Sequence, residues 1–238
     1  MKMPLRNRLA CLGSVANAWA FRGLYGDQLS KIDSLRVPNS RLLPCIYIDP
    51  FKIERKCNLR GVVQEQSTLI RGGDWDLAWK TFAEVESTDP RYLSCRELLE
   101  GSVPIEQLVE FRQLLLRLET RGEARGMKRY DELYEYMLAL QRLYRQIADG
   151  GRLMTQSELG RCAFGGEINC AVSRDGVLMK TDDGNHRFAI ARVLGLRSVP
   201  VQISVIHAQQ KAYVGSAESS GAFDAINKFF CALQQRYQ

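Results

Sequence analysis

Histidine is nearly absent from this chain. Its 238 residues contain only His186 and His207, too few imidazoles for a histidine-rich metal centre, and Ser-His or Cys-His chemistry is restricted to those two positions. His207 follows a strand-like run and reads as structural. Cysteine is present but unpatterned: seven residues, an odd number with no Cys-x-x-Cys spacing, argue for reduced thiols in a cytoplasmic compartment and against a disulfide framework or a zinc site. No run approaches the roughly 20 apolar residues that span a bilayer. Internal repeats and low-complexity tracts are lacking too.

What is there is the composition of a globular protein, 45% hydrophobic and 25% charged, long enough for one good core with embellishments. The net charge of +6 is unevenly spread: residues 1–60 hold 11 Lys/Arg against 4 Asp/Glu, and the remainder is close to neutral. Residues 5–25 mix Arg6, Arg8 and Arg22 with Leu9, Leu12, Val15, Trp19 and Phe21, a basic amphipathic pattern suited to an anionic membrane surface or an acidic partner. The same stretch imitates a signal peptide, with Ala16-Asn17-Ala18 as a cleavage-like site, but the apolar run from Leu9 to Val15 is short and broken by Gly13 and Ser14. Basic and aromatic residues are not interleaved over a broad surface, so nucleic acid is not the favoured partner.

Helical spacing marks Ile105–Leu118 and Tyr130–Tyr144, with Thr120–Lys128 as a flexible linker between them and a last helix over about 220–235. Tyr130, Tyr134 and Tyr144 read as packing residues. Downstream, Ile168–Ser173 and Val177–Lys180 flank Arg174-Asp175-Gly176, an Asp-Gly hairpin signal, and Val199–Ile206 alternates as a half-buried strand should. Between them, Thr181-Asp182-Asp183-Gly184-Asn185-His186-Arg187 leads straight into an amphipathic helix. The first amides of a helix lack internal partners and carry the positive end of the dipole, so such a junction suits phosphate. Gly184 permits positive φ or close approach, and His186 and Arg187 add side-chain donors. The plainer alternative is a helix start capped by Asp183 and paired with Arg187.

A second constellation is Arg71-Gly72-Gly73-Asp74-Trp75-Asp76. It would present Arg71 to a phosphate and Asp74 or Asp76 to a metal or hydroxyl; equally, it is a tight turn in which Asp74 caps a helix beginning near Asp76 and the tryptophans pack.

Asp183-Gly184-Asn185-His186-Arg187, then Leu194-Gly195, then Val199-Pro200-Val201 resemble the ParB/sulfiredoxin-like superfamily, whose members follow an Asp-Gly-x-His-Arg type turn with a helix, a Leu-Gly pair and a Val-Pro strand. The close match covers residues 140–206, including a helix ending at Gly150-Gly151, and Cys45–Ile53 is similar to the family's opening strand and turn. The resemblance implies an α+β fold: a small mixed sheet with flanking helices, here a single domain over 41–238 carrying a helical insertion at about 96–150, after a basic segment over 1–40.

Departures from the family narrow the activity. Asn185 stands where sulfiredoxins carry their reactive cysteine, and neither the Gly-Glu-Arg-Arg type CTP element nor a helix-turn-helix domain of partition proteins is found. The superfamily's free serine kinases leave the fewest contradictions. The resemblance then implies ATP or ADP phosphates on Asp183, Gly184, Asn185, His186 and Arg187; Arg71, from the second constellation and outside the matched part, is a further phosphate-binding candidate. Glu54 is carried over as the base, and Asp74 and His186 are the other catalytic candidates. Glu54 also reads as a solvated carboxylate paired with Arg55 or Lys56. Mg²⁺ is expected only as the usual companion of phosphates, with no protein metal site. The expectation is therefore a nucleotide-dependent phosphotransferase acting on a small hydroxyl compound or glycan, cytoplasmic or peripheral to the inner membrane face. The competing reading is a non-catalytic nucleotide-binding switch or membrane-peripheral adaptor. A nuclease is a third, since some ParB-like proteins are assigned that activity.

Overall fold

The structure, a computed structural model, describes residues 45–59, 69–101, 103–156, 158–159, 166–211 and 222–238. The basic amphipathic segment, its signal-like features, Cys11 and Cys162 lie outside the described residues. The protein is α+β, and the chain divides into two compact units. The first comprises Met1–Lys80, Met154–Gly184 and Arg197–Gln238; the second comprises Thr81–Leu153 and Asn185–Leu196. The helical segment expected at about 96–150 falls within the second unit, which also takes in residues 81–95 and 185–196.

Seven strands form one mixed sheet: β1 (Ile46–Ile48), β2 (Arg55–Cys57), β3 (Ile70–Arg71), β4 (Trp79–Thr81), β5 (Ile168–Val172), β6 (Leu178–Lys180) and β7 (Val199–His207). Their order is β1-β7-β5-β6-β2-β4, with β3 also on β7. Six α-helices occur among the described residues: α1 (Phe82–Thr88), α2 (Pro90–Glu100), α3 (Val109–Arg121), α4 (Tyr130–Gly150), α5 (Asn185–Val193) and α6 (Ala222–Tyr237). None is long and apolar enough to cross a membrane.

The long apolar β7 organises the sheet. β5 runs parallel along Val201–Ile206 on one edge, so β1, antiparallel at Val199–Val201, and β3, parallel at Ile206–His207, must share the other edge. The Asp-Gly signal gives the expected hairpin: β5 and β6 pair antiparallel with Cys170 opposite Lys180, and the Ser173 N–H closes the loop on the Val177 carbonyl at 3.0 Å. Alternation sends Ala171, Met179 and Val205 to one face, where they pack with Cys57, Leu59 and Trp75. A large apolar side chain such as Met179 or Val205, fully buried, stabilises by about 1.5–3 kcal/mol. α6 packs back on the sheet as expected: the Tyr47 N–H donates to Gln234 Oε1 (2.8 Å) and the Leu178 N–H to the Tyr237 hydroxyl (2.9 Å).

No helix begins at Asp76, contrary to the expectation that Asp74 caps one there; residues 74–78 are turn and bend leading into β4. The physical start signal comes later, at Thr81. Its Oγ1 accepts the Glu84 N–H (3.3 Å) while Glu84 Oε2 accepts the Thr81 N–H (2.8 Å), a reciprocal box that starts α1. The helix expected over Ile105–Leu118 opens as a 3-10 turn at Ile105–Gln107 and becomes α3 at Val109. In the Thr120–Lys128 linker, Ala124 and Met127 exchange backbone hydrogen bonds of 2.9 and 3.0 Å around Arg125 (φ +53°) and Gly126 (φ +84°), a two-residue type I′ turn where a flexible segment was expected. Phe111 packs edge-on against Tyr130 and Tyr134, with ring centroids 5.7 and 6.5 Å apart.

Candidate functional site

The sheet-to-helix turn is held by the first unit's own backbone. Gly184 has φ +69°, and a Cβ there would stand 2.4 Å from the Glu167 carbonyl oxygen and 2.6 Å from Ile168 Cα. The glycine is therefore used for close approach to the entry of β5. Asn169 ties the turn further: its Nδ2 donates to Asp183 Oδ2 (3.0 Å), its N–H donates to the Asp183 carbonyl (3.3 Å), and its carbonyl accepts the Thr181 N–H (3.0 Å). Asp182 Oδ2 accepts the Leu59 N–H at 2.9 Å, from the chain leaving β2. Lys180, 1% exposed, donates from Nζ to the carbonyls of Thr181 and Asp183, and burial pushes its amine down to about 8. Sequence reading missed this lysine, although its place ending a strand just before the turn was a signal.

His186 lies in the first turn of α5, in the second unit, beside residues no sequence argument had joined to it. Its Nε2 is 2.9 and 3.0 Å from the two oxygens of Glu110, a carboxylate whose side chain is 1% exposed at the start of α3. Arg125 reaches the same carboxylate from its strained turn, Nη2 to Oε1 at 2.8 Å, and donates from Nη1 to the Tyr136 hydroxyl on α4. Burial pushes the Glu110 carboxyl up, but the hydrogen bond from His186 and the charges of His186, Arg125 and Arg91 outweigh it and leave it below the usual glutamate range. Burial pushes the Tyr136 hydroxyl up. An ionised carboxylate only accepts, so Nε2 must carry a proton; in the neutral ring the lone pair then sits on Nδ1. Among the described residues Nδ1 has no hydrogen-bond partner, and the His186 side chain is 20% exposed. Of the neighbouring candidates, Asn185 is half-buried, Arg187 is buried and Asp183 is exposed.

Arg71, Asp74 and Glu54 gather at the other end of the sheet. Arg174, in the β5–β6 hairpin, clamps the Gly73–Asp76 turn: Nε and Nη2 donate to buried Asp76 at 3.0 and 2.8 Å, and Nη2 to Asp74 at 2.7 Å. Burial raises the Asp76 carboxyl, but the bonds from Arg174 overcome this and hold it low. His207 reads as structural in detail: Nε2 donates to the Gly73 carbonyl (2.9 Å) and Nδ1 accepts the Gln209 N–H (3.2 Å). Arg71 lies opposite His207 at the end of β7, and its buried Nη1 has no hydrogen-bond partner among the described residues. Glu54 is exposed just before β2; Arg55 turns instead to Asp175 at 2.9 Å. Since β2 runs parallel to β6 with Arg55 opposite Met179, Glu54 is level with Leu178, about 10 Å of strand short of Thr181, where the turn begins. The structure thus brings neither Glu54 nor Asp74 to the turn.

The His186 cluster can accept or donate a proton at Nδ1 and attack an electrophile there, with the Glu110 carboxylate offsetting positive charge on the ring. No group of three His, Cys, Asp or Glu side chains among the described residues is placed to hold a metal ion. Compared with protein-family models, curated proteins and solved structures, the chain matches none.

Proposed function

We propose that this chain is a nucleotide-dependent phosphotransferase on a ParB/sulfiredoxin-like core, acting on a small hydroxyl compound or glycan in the cytoplasm, with residues 1–25 drawing it to the inner membrane face. The observation that carries the reading is His186: an imidazole in the first turn of α5, backed by the buried carboxylate of Glu110 and flanked by Arg125. The element order from β5 to β7, the opening strand β1 on β7 and the glycine-ended α4 support the proposed core. The first-turn amides of α5 and the guanidinium of Arg125 are the groups for ATP or ADP phosphates, and Mg²⁺ is proposed to arrive with them. Because Glu54 and Asp74 lie at the hairpin end, the reacting side chain in this proposal is His186. Glu110 holds its tautomer and offsets charge that develops on the ring.

Thermal unfolding of the full chain with ATP, ADP or inorganic phosphate, with and without Mg²⁺, tests this. A nucleotide at about 100 times its dissociation constant stabilises by about 2.7 kcal/mol, a rise of roughly 5–10 °C for a chain of this size. The shift is expected to vanish in His186→Ala and Arg125→Ala. Arg187→Ala is a poor control, since that side chain is 6% exposed. Bound nucleotide with no transfer to any hydroxyl acceptor would favour the non-catalytic switch; no stabilisation by any nucleoside phosphate would end the proposal.

A further inference from the structure

We infer that His186 is itself a phosphoryl carrier, phosphorylated on Nδ1 between two half-reactions; this rests on the phosphotransferase reading and specifies its covalent step. The geometry divides the work between the two ring nitrogens. Nε2 is committed to Glu110, which lies within 3.0 Å through both oxygens and is held ionised with the help of Arg125. That leaves Nδ1 as the lone-pair nitrogen, partnerless among the described residues, on a ring that is 20% exposed. A general base serving a hydroxyl and a nucleophile serving phosphorus require the same lone pair. They differ in what happens to the ring charge. A base hands its proton on within one encounter, whereas a phosphorylated imidazole keeps positive charge on the ring through the lifetime of the intermediate. The buried Glu110 carboxylate directly behind Nε2 is the counter-charge that such a species needs.

Arg125 supplies the other half of the argument. A guanidinium carries five N–H donors, and here Nη2 serves Glu110 and Nη1 serves Tyr136. Both of these partners stand at Nε2, Glu110 at 2.9 Å and the Tyr136 hydroxyl at 3.4 Å, so Arg125 fixes the carboxylate behind the ring and leaves Nδ1 on the other side clear. Arg125 holds this place at φ +53°, in a turn type that asparagine or glycine adopts with far less strain.

The Nδ1 lone pair attacks the terminal phosphorus of the nucleoside triphosphate; the bond from that phosphorus to the bridging oxygen breaks, and the nucleoside diphosphate leaves with the electron pair. The ring keeps its Nε2 proton throughout. The acceptor hydroxyl oxygen then attacks phosphorus, the N–P bond breaks, and its electron pair returns to Nδ1, which takes up the hydroxyl proton and passes it to solvent.

The experiment uses the full chain with ATP labelled in the terminal phosphate and no acceptor. Expected are a phosphoprotein stable in alkali and lost in acid, mass-spectrometric assignment of the phosphate to His186 in the wild type, and exchange of label between ADP and ATP. Glu110→Gln, checked for fold by circular dichroism, should slow labelling on the order of a hundredfold, and His186→Gln should abolish it. Nucleotide binding by thermal shift with neither labelling nor exchange, or phosphate found on another residue, overturns the carrier role while leaving the phosphotransferase reading standing. Absence of nucleotide binding overturns both.

Discussion

Replacing Gly184 by alanine separates two demands that the turn makes on one residue. The left-handed backbone, φ +69°, costs a non-glycine residue about 1–2 kcal/mol. The close approach is a separate charge: the new Cβ would sit 2.4 Å from the Glu167 carbonyl oxygen and 2.8 Å from its carbon, both main-chain atoms that cannot swing aside. Forcing them apart belongs with overpacking, about 1–3 kcal/mol. Gly195 is the matched control, because it has φ +72° and nothing within 4 Å of its hypothetical Cβ. Any gain from a stiffer unfolded chain is common to both variants. Gly184→Ala should therefore cost about 2 kcal/mol more than Gly195→Ala, a further drop of roughly 4–8 °C in Tm by circular dichroism. Equal losses in the two variants would refute the claim that β5 closes on this glycine.

Lys180 gives a pH signature. Its amine titrates at about 8 when folded against 10.5 when free, so from about pH 8 upward the unfolded chain holds more protons and stability rises. Cys57, Cys95 and Cys170, pushed from 9.0 up to about 12 by burial, act oppositely from about pH 8 upward. Denaturant melts should thus show little net change between pH 8 and 9, where about 1 kcal/mol gained through Lys180 is offset by a similar loss through the three thiols, and a decline beyond; Lys180→Met should turn that plateau into a loss of about 1 kcal/mol. Arg174→Met strands the buried carboxylate of Asp76 and should destabilise at neutral pH, with Asp76→Asn in the same chain restoring part of the loss; the gap should narrow as pH falls below the ordinary aspartate range. A gap independent of pH would exclude the ion pair as its cause. Thr81→Ala should cost about 1 kcal/mol by thermal melt, and Thr81→Ser much less.

Local signals were legible in the sequence where one segment determines its own shape. The Arg174-Asp175-Gly176 hairpin, the glycine before α5 and the apolar alternation of β7 are of that kind. α2 was not legible, because buried Tyr92 and Cys95 are flanked by charges without a continuous apolar stripe. The Thr81-x-x-Glu84 box that sets the start of α1 was readable, yet the nearer Asp74 drew the assignment upstream. His186 could be named from its turn, but its partners could not: Glu110, Arg125 and Tyr136 come from α3, a turn and α4, and only folding brings them to one imidazole. Arg71 and Glu54 failed to join the turn for a reason of register alone, since strand direction carries them to the hairpin end.

The pairing of β7 bears on how this sheet avoids its own kind. A sheet's outer strands offer unpaired N–H and C=O groups that recruit strands from other molecules. Here the β1 edge is stopped by α6, whose Gln234 side chain takes the outward N–H of Tyr47 while the Tyr237 carbonyl takes that of Asp49. The opposite edge, β4, is only three residues long and presents Lys80. It also cannot lengthen past Thr81, its last residue, which is already the cap of α1. Loss of that cap would therefore release a strand edge as well as a helix turn. Aggregation on heating is accordingly expected to rise in Thr81 and Gln234 variants before their secondary structure is lost.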